Sequence, residues 1–168
     1  MPATRDELLA RLAALGIQAT TVDHEAVFTV GESTALERDL PGGHTKNLFL
    51  KDAKGRLFLV TAEAHAPVDL KSLHKRLGCA RLSFGKPDLL MEVLGVPPGS
   101  VTAFSLINDP DGRVTFVLDQ RLTQFETINC HPLVNTATTN IARDDLLRFI
   151  QVSGHEPVII QLDDEPIV

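Results

Sequence analysis

The sequence predicts an α+β domain in which helices surround a mixed or antiparallel sheet. Helix-like and strand-like segments alternate along the 168 residues, and several neighbouring strands are joined by tight turns. The length and the 43% apolar composition suit one hydrophobic core. Because no repeat, low-complexity stretch or linker interrupts the chain, we expect residues 1–168 to form a single domain.

The N-terminal part begins with an amphipathic helix. Thr4 and Glu7 have the spacing of a capping box, leucines follow at helical intervals, and Gly16 is suited to end the helix. Short β-branched stretches between residues 17 and 30 then predict extended chain, and a short helix is expected over residues 32–39.

The middle of the chain predicts a hairpin followed by two helices. Apolar runs at 47–50 and 57–60 flank a turn that contains Gly55. Helices are expected over 68–77 and 88–94, because a glycine directly follows each of these segments.

The part of the chain after Gly95 predicts three strands, one further extended segment and one helix. Apolar runs at 101–107 and 114–118 flank a turn rich in Asn, Asp, Pro and Gly, and β-branched residues favour an extended segment at 136–141. A helix over 144–152 and a last strand over 158–162 complete the pattern.

The composition excludes several classes of protein. No apolar run approaches the roughly 18 residues of a membrane-spanning helix, and the first residues lack the basic and apolar regions of a signal peptide. Two cysteines, Cys79 and Cys130, are too few for a disulfide-dense scaffold. We therefore expect a cytoplasmic protein without a membrane partner.

The charge is distributed unevenly along the chain. The formal net charge of −6 by itself disfavours a nucleic-acid partner. Residues 44–86, however, contain nine basic and three acidic side chains, a net charge of +6, so the remainder carries −12. Such a segment predicts either a surface for a polyanion or a chance segregation of solvated charges.

The common catalytic and metal-binding templates are absent. Residues 85–87 do not form a phosphate-binding loop, and residues 98–100 lack the flanking pattern of a nucleophile elbow. The cysteines have no partner at metal-ligand spacing, so no metal site is expected. Cys130 beside His131 suggests a thiol nucleophile, but adjacent strand residues point to opposite faces, which favours a buried structural cysteine.

Two segments are dense in chemically useful side chains. Lys46 and Asn47 lie at the entrance of an apolar strand, where they can hold a phosphate or carbonyl oxygen; a solvated strand entrance is the alternative. Residues 129–139 contain an imidazole, two amides and several hydroxyls. His131, its backbone restricted by Pro132, is placed either to orient or deprotonate a water or to bond within a turn.

Three motifs in a fixed order identify a family resemblance. They are TKNLFL at 45–50, GSVT at 99–102 followed by LIND at 106–109, and HPLVNTAT at 131–138. Together they closely resemble the free-standing relatives of the bacterial prolyl-tRNA synthetase editing domain, the YbaK-type aminoacyl-tRNA deacylases. The resemblance extends over about residues 4 to 162.

The resemblance implies a mixed, largely antiparallel, barrel-like sheet with surrounding helices. It also implies an enzyme that hydrolyses the ester between a wrong amino acid and the terminal adenosine of tRNA, without metal or cofactor. The pattern is most similar to members that remove alanine from tRNA(Pro), with Cys, Ser or Thr esters as alternatives. The implied partner is the acceptor end of tRNA(Pro) and not DNA, with prolyl-tRNA synthetase or an elongation factor as further candidates.

The same motifs imply the site residues. Lys46, Asn47 and His131 match positions associated with catalysis, and Lys46 also matches one associated with the terminal nucleotide. The family loop commonly reads Gly-x-x-x-Pro, whereas position 103 here is Ala. The candidate substrate-binding residues are Phe28, Thr29, Gly99, Ser100, Val101, Thr102, Ala103 and Asn135, and the candidate tRNA-binding residues are Lys46, Lys75 and Arg76.

Two further classes of function stay open. A non-catalytic tRNA-binding module of the same fold is disfavoured by the complete set of Lys46, Asn47, Gly99 and His131. A small-molecule esterase is disfavoured by the basic segment, because a small ester does not need a wide basic surface.

Overall fold

The computed structural model describes residues 1–26 and 39–162 of the chain. Within these ranges lie four α-helices: α1 Arg5–Ala14, α2 Leu70–Leu77, α3 Pro87–Leu94 and α4 Arg143–Val152. The strands of the same ranges are β1 Ala19–Asp23, β2 Gly43–Asp52, β3 Leu57–Glu63, β4 Leu82–Phe84, β5 Val114–Asp119, β6 Thr127–Cys130, β7 Ala137–Ala142 and β8 Val158–Ile160. Short 3-10 helices span Pro98–Ser100, Ala103–Asn108 and Gln120–Gln124.

These strands form one mixed sheet, as the sequence predicts. Its order is β1-β7-β6-β2-β3-β5-β8, with β4 added beside β2. Among the described residues, four strand pairings are antiparallel and three are parallel. Helices surround the sheet, which confirms the predicted α+β architecture.

Strand β2 occupies the centre of the sheet and has different neighbours at its two ends. At its N-terminal end it pairs in parallel with β6, Gly43 opposite Ile128 and His44 opposite Asn129. At its C-terminal end it pairs antiparallel with β4, from Leu50 opposite Phe84 to Asp52 opposite Leu82. Strand β3 runs antiparallel to β2 along most of its length.

The central strands separate two hydrophobic clusters. Successive residues of β3 alternate between them, so that Leu59 packs in the larger cluster and Val60 in the smaller one. The larger cluster includes residues from α1, α3 and α4, and the smaller one is covered by Leu73 of α2. Burial on both faces is what makes β2 and β3 read as continuous apolar runs in the sequence.

The local signals at the helix ends act as the sequence predicts. Thr4 and Glu7 form the reciprocal capping box of α1. Gly78 and Gly95 end α2 and α3 in left-handed conformations, with φ of 66° and 68°. No helix in the described part of the chain is long and apolar enough to cross a membrane.

Three sequence predictions differ from the structure or lie outside it. The predicted strand at 101–107 is wrong, because residues 103–108 form a 3-10 helix capped by Thr102 and Ser105. A short, fully buried apolar run has no period that distinguishes strand from helix. The predicted extended residues 27–30 and almost all of the predicted helix over 32–39 lie outside the described residues.

Candidate active site

The parallel pairing of β2 with β6 brings the first and third sequence motifs side by side. His44 and Asn129 are register partners, and the Thr45 hydroxyl donates a hydrogen bond of 2.8 Å to the Asn129 carbonyl. Lys46 and His131 each lie two residues beyond this pair. Because side chains alternate along a strand, Lys46 shares a face of the sheet with His44 and its register partner Asn129, and His131 follows directly after the end of β6.

Lys46 and Asn47 lie on opposite faces of β2, so the structure does not bring these two candidates together. Lys46 is half-buried, and its ammonium donates a hydrogen bond to the carbonyl of Ala66 in the turn after β3. Asn47 Oδ1 accepts a hydrogen bond of 2.6 Å from the hydroxyl of Thr61, which is fully buried on the neighbouring strand. Asn47 is thus anchored toward the interior.

The hydrogen bond made by His131 defines the state of its imidazole. Nδ1 lies 2.9 Å from the carbonyl oxygen of Ala137, and a carbonyl can only accept, so Nδ1 carries the proton. Burial lowers the pKa of His131, the hydrogen bond to Ala137 acts in the opposite direction, and nearby His24 lowers the pKa further. The ring is therefore neutral near pH 7, with the Nε2 lone pair available to a water.

The turn that carries His131 contains a backbone conformation unusual for a large side chain. Leu133 has a φ of 68°, in the left-handed region, and its N–H donates to the His131 carbonyl at 3.0 Å across Pro132. The Leu133 side chain is 7% exposed and belongs to the larger hydrophobic cluster. Burial of this side chain offsets the strain of the turn.

The glycine loop, residues 99–103, lies against the same turn. A Cβ at Gly99 would lie 3.3 Å from the side-chain nitrogen of Asn135, so the second motif meets the third here. The Ser100 N–H donates to the Pro97 carbonyl at 2.9 Å, and the Thr102 N–H donates to the Ser105 hydroxyl at 3.3 Å. Two of the four backbone N–H groups of residues 99–102 are therefore already engaged.

The remaining candidate substrate residues differ in accessibility. Gly99 is exposed and Asn135 is half-buried. Ala103 is fully buried in the larger hydrophobic cluster, and the three residues before it are also buried. The buried loop residues are Ser100, Val101, Thr102 and Ala103. Phe28 and Thr29 lie outside the described residues.

The two predicted tRNA-binding residues of α2 have different environments. Lys75 is exposed. Arg76 is half-buried, and its guanidinium donates to the carbonyl of Gln161 at 3.3 Å. Of these two residues, Lys75 is therefore the more accessible to a phosphate in solution.

Cys130 lies in the interior of the protein. Cys130 is 1% exposed, and burial raises its pKa to about 12, so a thiolate nucleophile is the wrong interpretation. Its side chain belongs to the larger hydrophobic cluster, as expected of a structural cysteine. Among residues 1–26 and 39–162, no group of three His, Cys, Asp or Glu side chains is arranged to hold a metal.

An amide network that sequence reasoning missed fixes the chain entering β2. The Pro41 carbonyl accepts hydrogen bonds from the side-chain amides of Asn129 at 2.9 Å and Asn140 at 3.1 Å. The Asn140 amide also donates to Asn129 Oδ1 at 3.1 Å, and His44 Nε2 donates to the Leu40 carbonyl at 2.9 Å. This network depends on the pairing of β6 with β7, which no local signal in the sequence shows.

His24, which no sequence motif indicates as a site residue, lies beside His131. The centroids of the two rings are 6.3 Å apart, and His24 Nε2 lies 2.8 Å from the Thr138 hydroxyl. His24 stands outside the three motifs, and only the antiparallel pairing of β1 with β7 brings it here. An isolated histidine after a short strand gives no local indication of this contact.

The class of protein follows from comparison with known families, which agrees with the sheet and the sequence motifs described above. A family model for the aminoacyl-tRNA editing domain matches residues 24–149, and the chain belongs to this family. Among its relatives, prolyl-tRNA synthetase associated domain-containing protein 1 of Danio rerio is 44% identical over 161 residues, covering 95% of this chain and 88% of that protein.

A bacterial relative and a solved structure agree with this assignment. The prolyl-tRNA editing protein ProX of Acetoanaerobium sticklandii is 33% identical over 159 residues, covering 94% of this chain and 97% of that protein. A crystal structure of a protein described as a candidate trans-editing enzyme for prolyl-tRNA synthetase superposes with a TM-score of 0.72 and 18% identity. That match covers 98% of this chain and 100% of the other, and shows the same fold.

Proposed function

We propose that this protein is a trans-acting aminoacyl-tRNA deacylase that hydrolyses the ester of Ala-tRNA(Pro), releasing alanine and free tRNA(Pro) in the cytoplasm. The observations that support it best are the parallel pairing of β2 with β6, which leaves Lys46 and His131 each two residues beyond the register pair His44–Asn129, and the approach of Gly99 to Asn135. The editing function named for ProX, a relative with 33% identity, supports the same reaction.

The proposed chemistry needs only a positioned water and an environment for the developing anion. An aminoacyl ester is already activated, so orientation and oxyanion stabilisation supply most of the acceleration. The water oxygen bonds to the ester carbonyl carbon while His131 Nε2 accepts a proton from the water. The tetrahedral intermediate then breaks its bond to the ribose oxygen, which takes up the proton and leaves as the free hydroxyl of tRNA.

Lys46 is proposed to bind the terminal phosphate or ribose. An ammonium has three N–H donors, and the hydrogen bond to Ala66 uses one of them. The remaining donors can reach substrate oxygens without breaking that contact. Asn47, which faces the interior and bonds with Thr61, is assigned the supporting role of fixing β2 behind Lys46.

The glycine loop is proposed to bind the oxyanion and to limit the size of the amino acid. With the N–H groups of Ser100 and Thr102 engaged, those of Gly99 and Val101 are the candidates that remain. One methylene changes binding in an apolar pocket by only about 1–3 kcal/mol, so a synthetase that binds proline also admits alanine. A second, tighter pocket that excludes proline corrects this error.

The proposed partner is the acceptor end of tRNA(Pro), with exposed Lys75 on α2 contacting the phosphate backbone. Prolyl-tRNA synthetase and an elongation factor are further candidate partners. The reaction as written uses no metal and no cofactor.

The test is single-turnover hydrolysis of Ala-, Pro-, Cys-, Ser- and Thr-tRNA(Pro) and of a minimal aminoacyl ester without tRNA. We expect the alanyl ester of tRNA(Pro) to be hydrolysed fastest. Lys46→Ala should lower this rate at least about tenfold, and His131→Ala by about 10²–10⁴-fold, the range for general acid–base groups. Lys54→Ala, in the exposed turn after β2, is the matched control and should leave the rate unchanged.

The other outcomes distinguish the alternatives. Preference for a Cys, Ser or Thr ester would contradict the alanine assignment within the same family. Binding of tRNA without hydrolysis would favour a non-catalytic module, and equal rates on the minimal ester would favour a small-molecule esterase. In steady-state deacylation of the same substrate, Lys75→Glu should raise KM more than Arg11→Glu, a charge reversal at an exposed position of α1.

A further inference from the structure

His24 is tied to the beginning of β7 by its backbone and its side chain. Its N–H donates to the Thr136 carbonyl at 2.9 Å, one residue beyond the last register pair, Asp23 opposite Ala137. Its Nε2 lies 2.8 Å from the hydroxyl of Thr138, which is 5% exposed. These two contacts lie on either side of Ala137.

Both ring nitrogens of His24 are engaged. Nδ1 lies 2.7 Å from the Glu25 carbonyl, which can only accept, so in the neutral ring Nδ1 carries the proton. Nε2 then accepts the hydrogen bond from the Thr138 hydroxyl. With neither nitrogen left for a substrate proton, the geometry favours a structural contribution to the site over direct proton transfer.

Ala137 is the residue that sets the tautomer of His131. Its carbonyl accepts a hydrogen bond from the protonated Nδ1 of His131, which leaves Nε2 as the acceptor for water. A shift of this carbonyl would release Nδ1 and allow the proton to move to Nε2, the wrong nitrogen for a general base. The flanking contacts of His24 restrain that shift.

We propose that His24 is a positioning residue of the candidate active site. Through its hydrogen bond with Thr138, His24 holds the Ala137 carbonyl where it accepts from Nδ1 of His131, so that Nε2 stays unprotonated. The consequence for deacylation rests on the proposed function, whereas the tautomer of His131 can be observed without any substrate.

Three variants distinguish the hydrogen bond between His24 and Thr138 from other effects of the His24 side chain. Thr138→Val removes the hydroxyl and keeps the side chain compact. His24→Ala removes the imidazole, and His24→Gln replaces it with an amide whose oxygen can accept from Thr138. Backbone N–H correlation spectra verify that each variant is folded.

The deciding measurement is the ¹⁵N–¹H long-range correlation spectrum of the histidine rings at a pH where His131 is neutral. We expect the Nδ1–H form of His131 in the native protein and in His24→Gln, and a substantial Nε2–H population in Thr138→Val and His24→Ala. An unchanged Nδ1–H form in folded Thr138→Val and His24→Ala would overturn the proposal. So would an Nε2–H form in the native protein.

Steady-state deacylation kinetics provide a second measurement. At saturating Ala-tRNA(Pro) we expect Thr138→Val and His24→Ala to react about ten- to a hundredfold more slowly, with KM changed less than about twofold and recovery in His24→Gln. A rise in KM with an unchanged maximal rate would contradict a positioning role. If the native protein hydrolyses no aminoacyl-tRNA, the proposed function fails, while the tautomer spectrum still decides the role of His24.

Discussion

The two ends of β2 have the same secondary structure but different environments. At the N-terminal end, the consecutive residues 44–48 are half-buried and include Lys46, and β6 contributes only two register partners. At the C-terminal end, Phe49 and Leu50 are almost fully buried, and β3 and β4 pair with the strand on both sides. One strand thus has a polar end, which carries the candidate site residue Lys46, and a packed end, which is buried in the hydrophobic interior.

The packed end is also held by a buried carboxylate. Asp52 is 3% exposed and accepts hydrogen bonds from the N–H groups of Lys54, Arg56 and Ala80 at 2.8–3.1 Å. These bonds close the β2–β3 turn and tie it to the segment before β4. Because the packed end of β2 is fixed in this way, the half-buried Lys46 near its other end is held in a defined position.

The largest effect is expected from adding a methyl group to the glycine at each end of β2. Gly42 and Gly55 both have left-handed φ values, 96° and 88°. A Cβ at Gly42 would lie 2.3 Å from the Thr127 hydroxyl oxygen, whereas nothing lies within 4 Å of one at Gly55. Gly55→Ala should cost about 1–2 kcal/mol of unfolding free energy, the usual left-handed penalty. Gly42→Ala should cost more than about 3 kcal/mol.

Urea denaturation measures this difference, and deacylation shows where it acts. Because Gly42 precedes the pairing of β2 with β6, Gly42→Ala should also lower the single-turnover rate at least about tenfold in protein that is still folded. Gly55→Ala should leave that rate unchanged. Equal destabilisation by the two substitutions would mean that the two ends of the strand are held alike.

The second-largest effect is expected from Asp52, whose contribution to the stability of the fold depends on pH. Burial acts to raise the pKa of Asp52, but the N–H groups of Arg56, Ala80 and Lys54 outweigh it and lower the pKa below its ordinary value of 3.8. A carboxyl group whose pKa is lower in the folded than in the unfolded protein stabilises the fold at any pH above its pKa in the unfolded chain. This stabilisation is lost as the pH falls through its pKa in the folded protein.

Thermal unfolding between pH 7 and pH 3 tests this contribution. Asp52→Asn should lower Tm by roughly 5 °C at pH 7 and by progressively less below pH 4, with deacylation at 25 °C and pH 7 within about twofold of native. Asp88→Asn, an exposed carboxylate at the start of α3, is the control and should change little. A decrease in Tm that is constant over this pH range would refute the role of the ionised carboxylate.

The smallest effect is expected from the hydroxyl that ties the polar end to β6. Thr45→Val removes the 2.8 Å bond to the Asn129 carbonyl and should cost about 0.5–1.5 kcal/mol in urea denaturation. The deacylation rate should fall a few-fold, because the spacing between Lys46 and His131 is less restrained. Thr115→Val, at a half-buried position in β5, is the matched control. An undiminished rate in Thr45→Val would show that this tie does not set the geometry of the site.

Local signals made much of the fold predictable. The capping box of α1 and the glycines after α2 and α3 mark helix ends through backbone chemistry that acts over a few residues. The β2–β3 hairpin was predictable from two apolar runs around a turn. Strands β4 and β6, with three and four residues, were not, because so short a segment is stabilised by its neighbours rather than by its own composition.

The candidate site was predictable as a set of residues but not as an arrangement. The motifs contain Lys46, Asn47 and His131, yet alternation along β2 places Lys46 and Asn47 on opposite faces. His24 and the amides of Asn129 and Asn140 join the site through pairings between strands far apart in sequence. Such contacts depend on the whole sheet, which a local pattern does not encode.

The left-handed backbone of Leu133 couples the chemistry of the site to the interior of the protein. A glycine at this position would relax the backbone but remove the side chain from the hydrophobic cluster, whereas leucine keeps the cluster filled and the turn strained. The turn therefore keeps its shape only while the cluster around Leu133 stays closely packed. On warming, loosening of that packing would misorient His131 before the sheet separates, so the temperature limit of activity would lie below that of the fold.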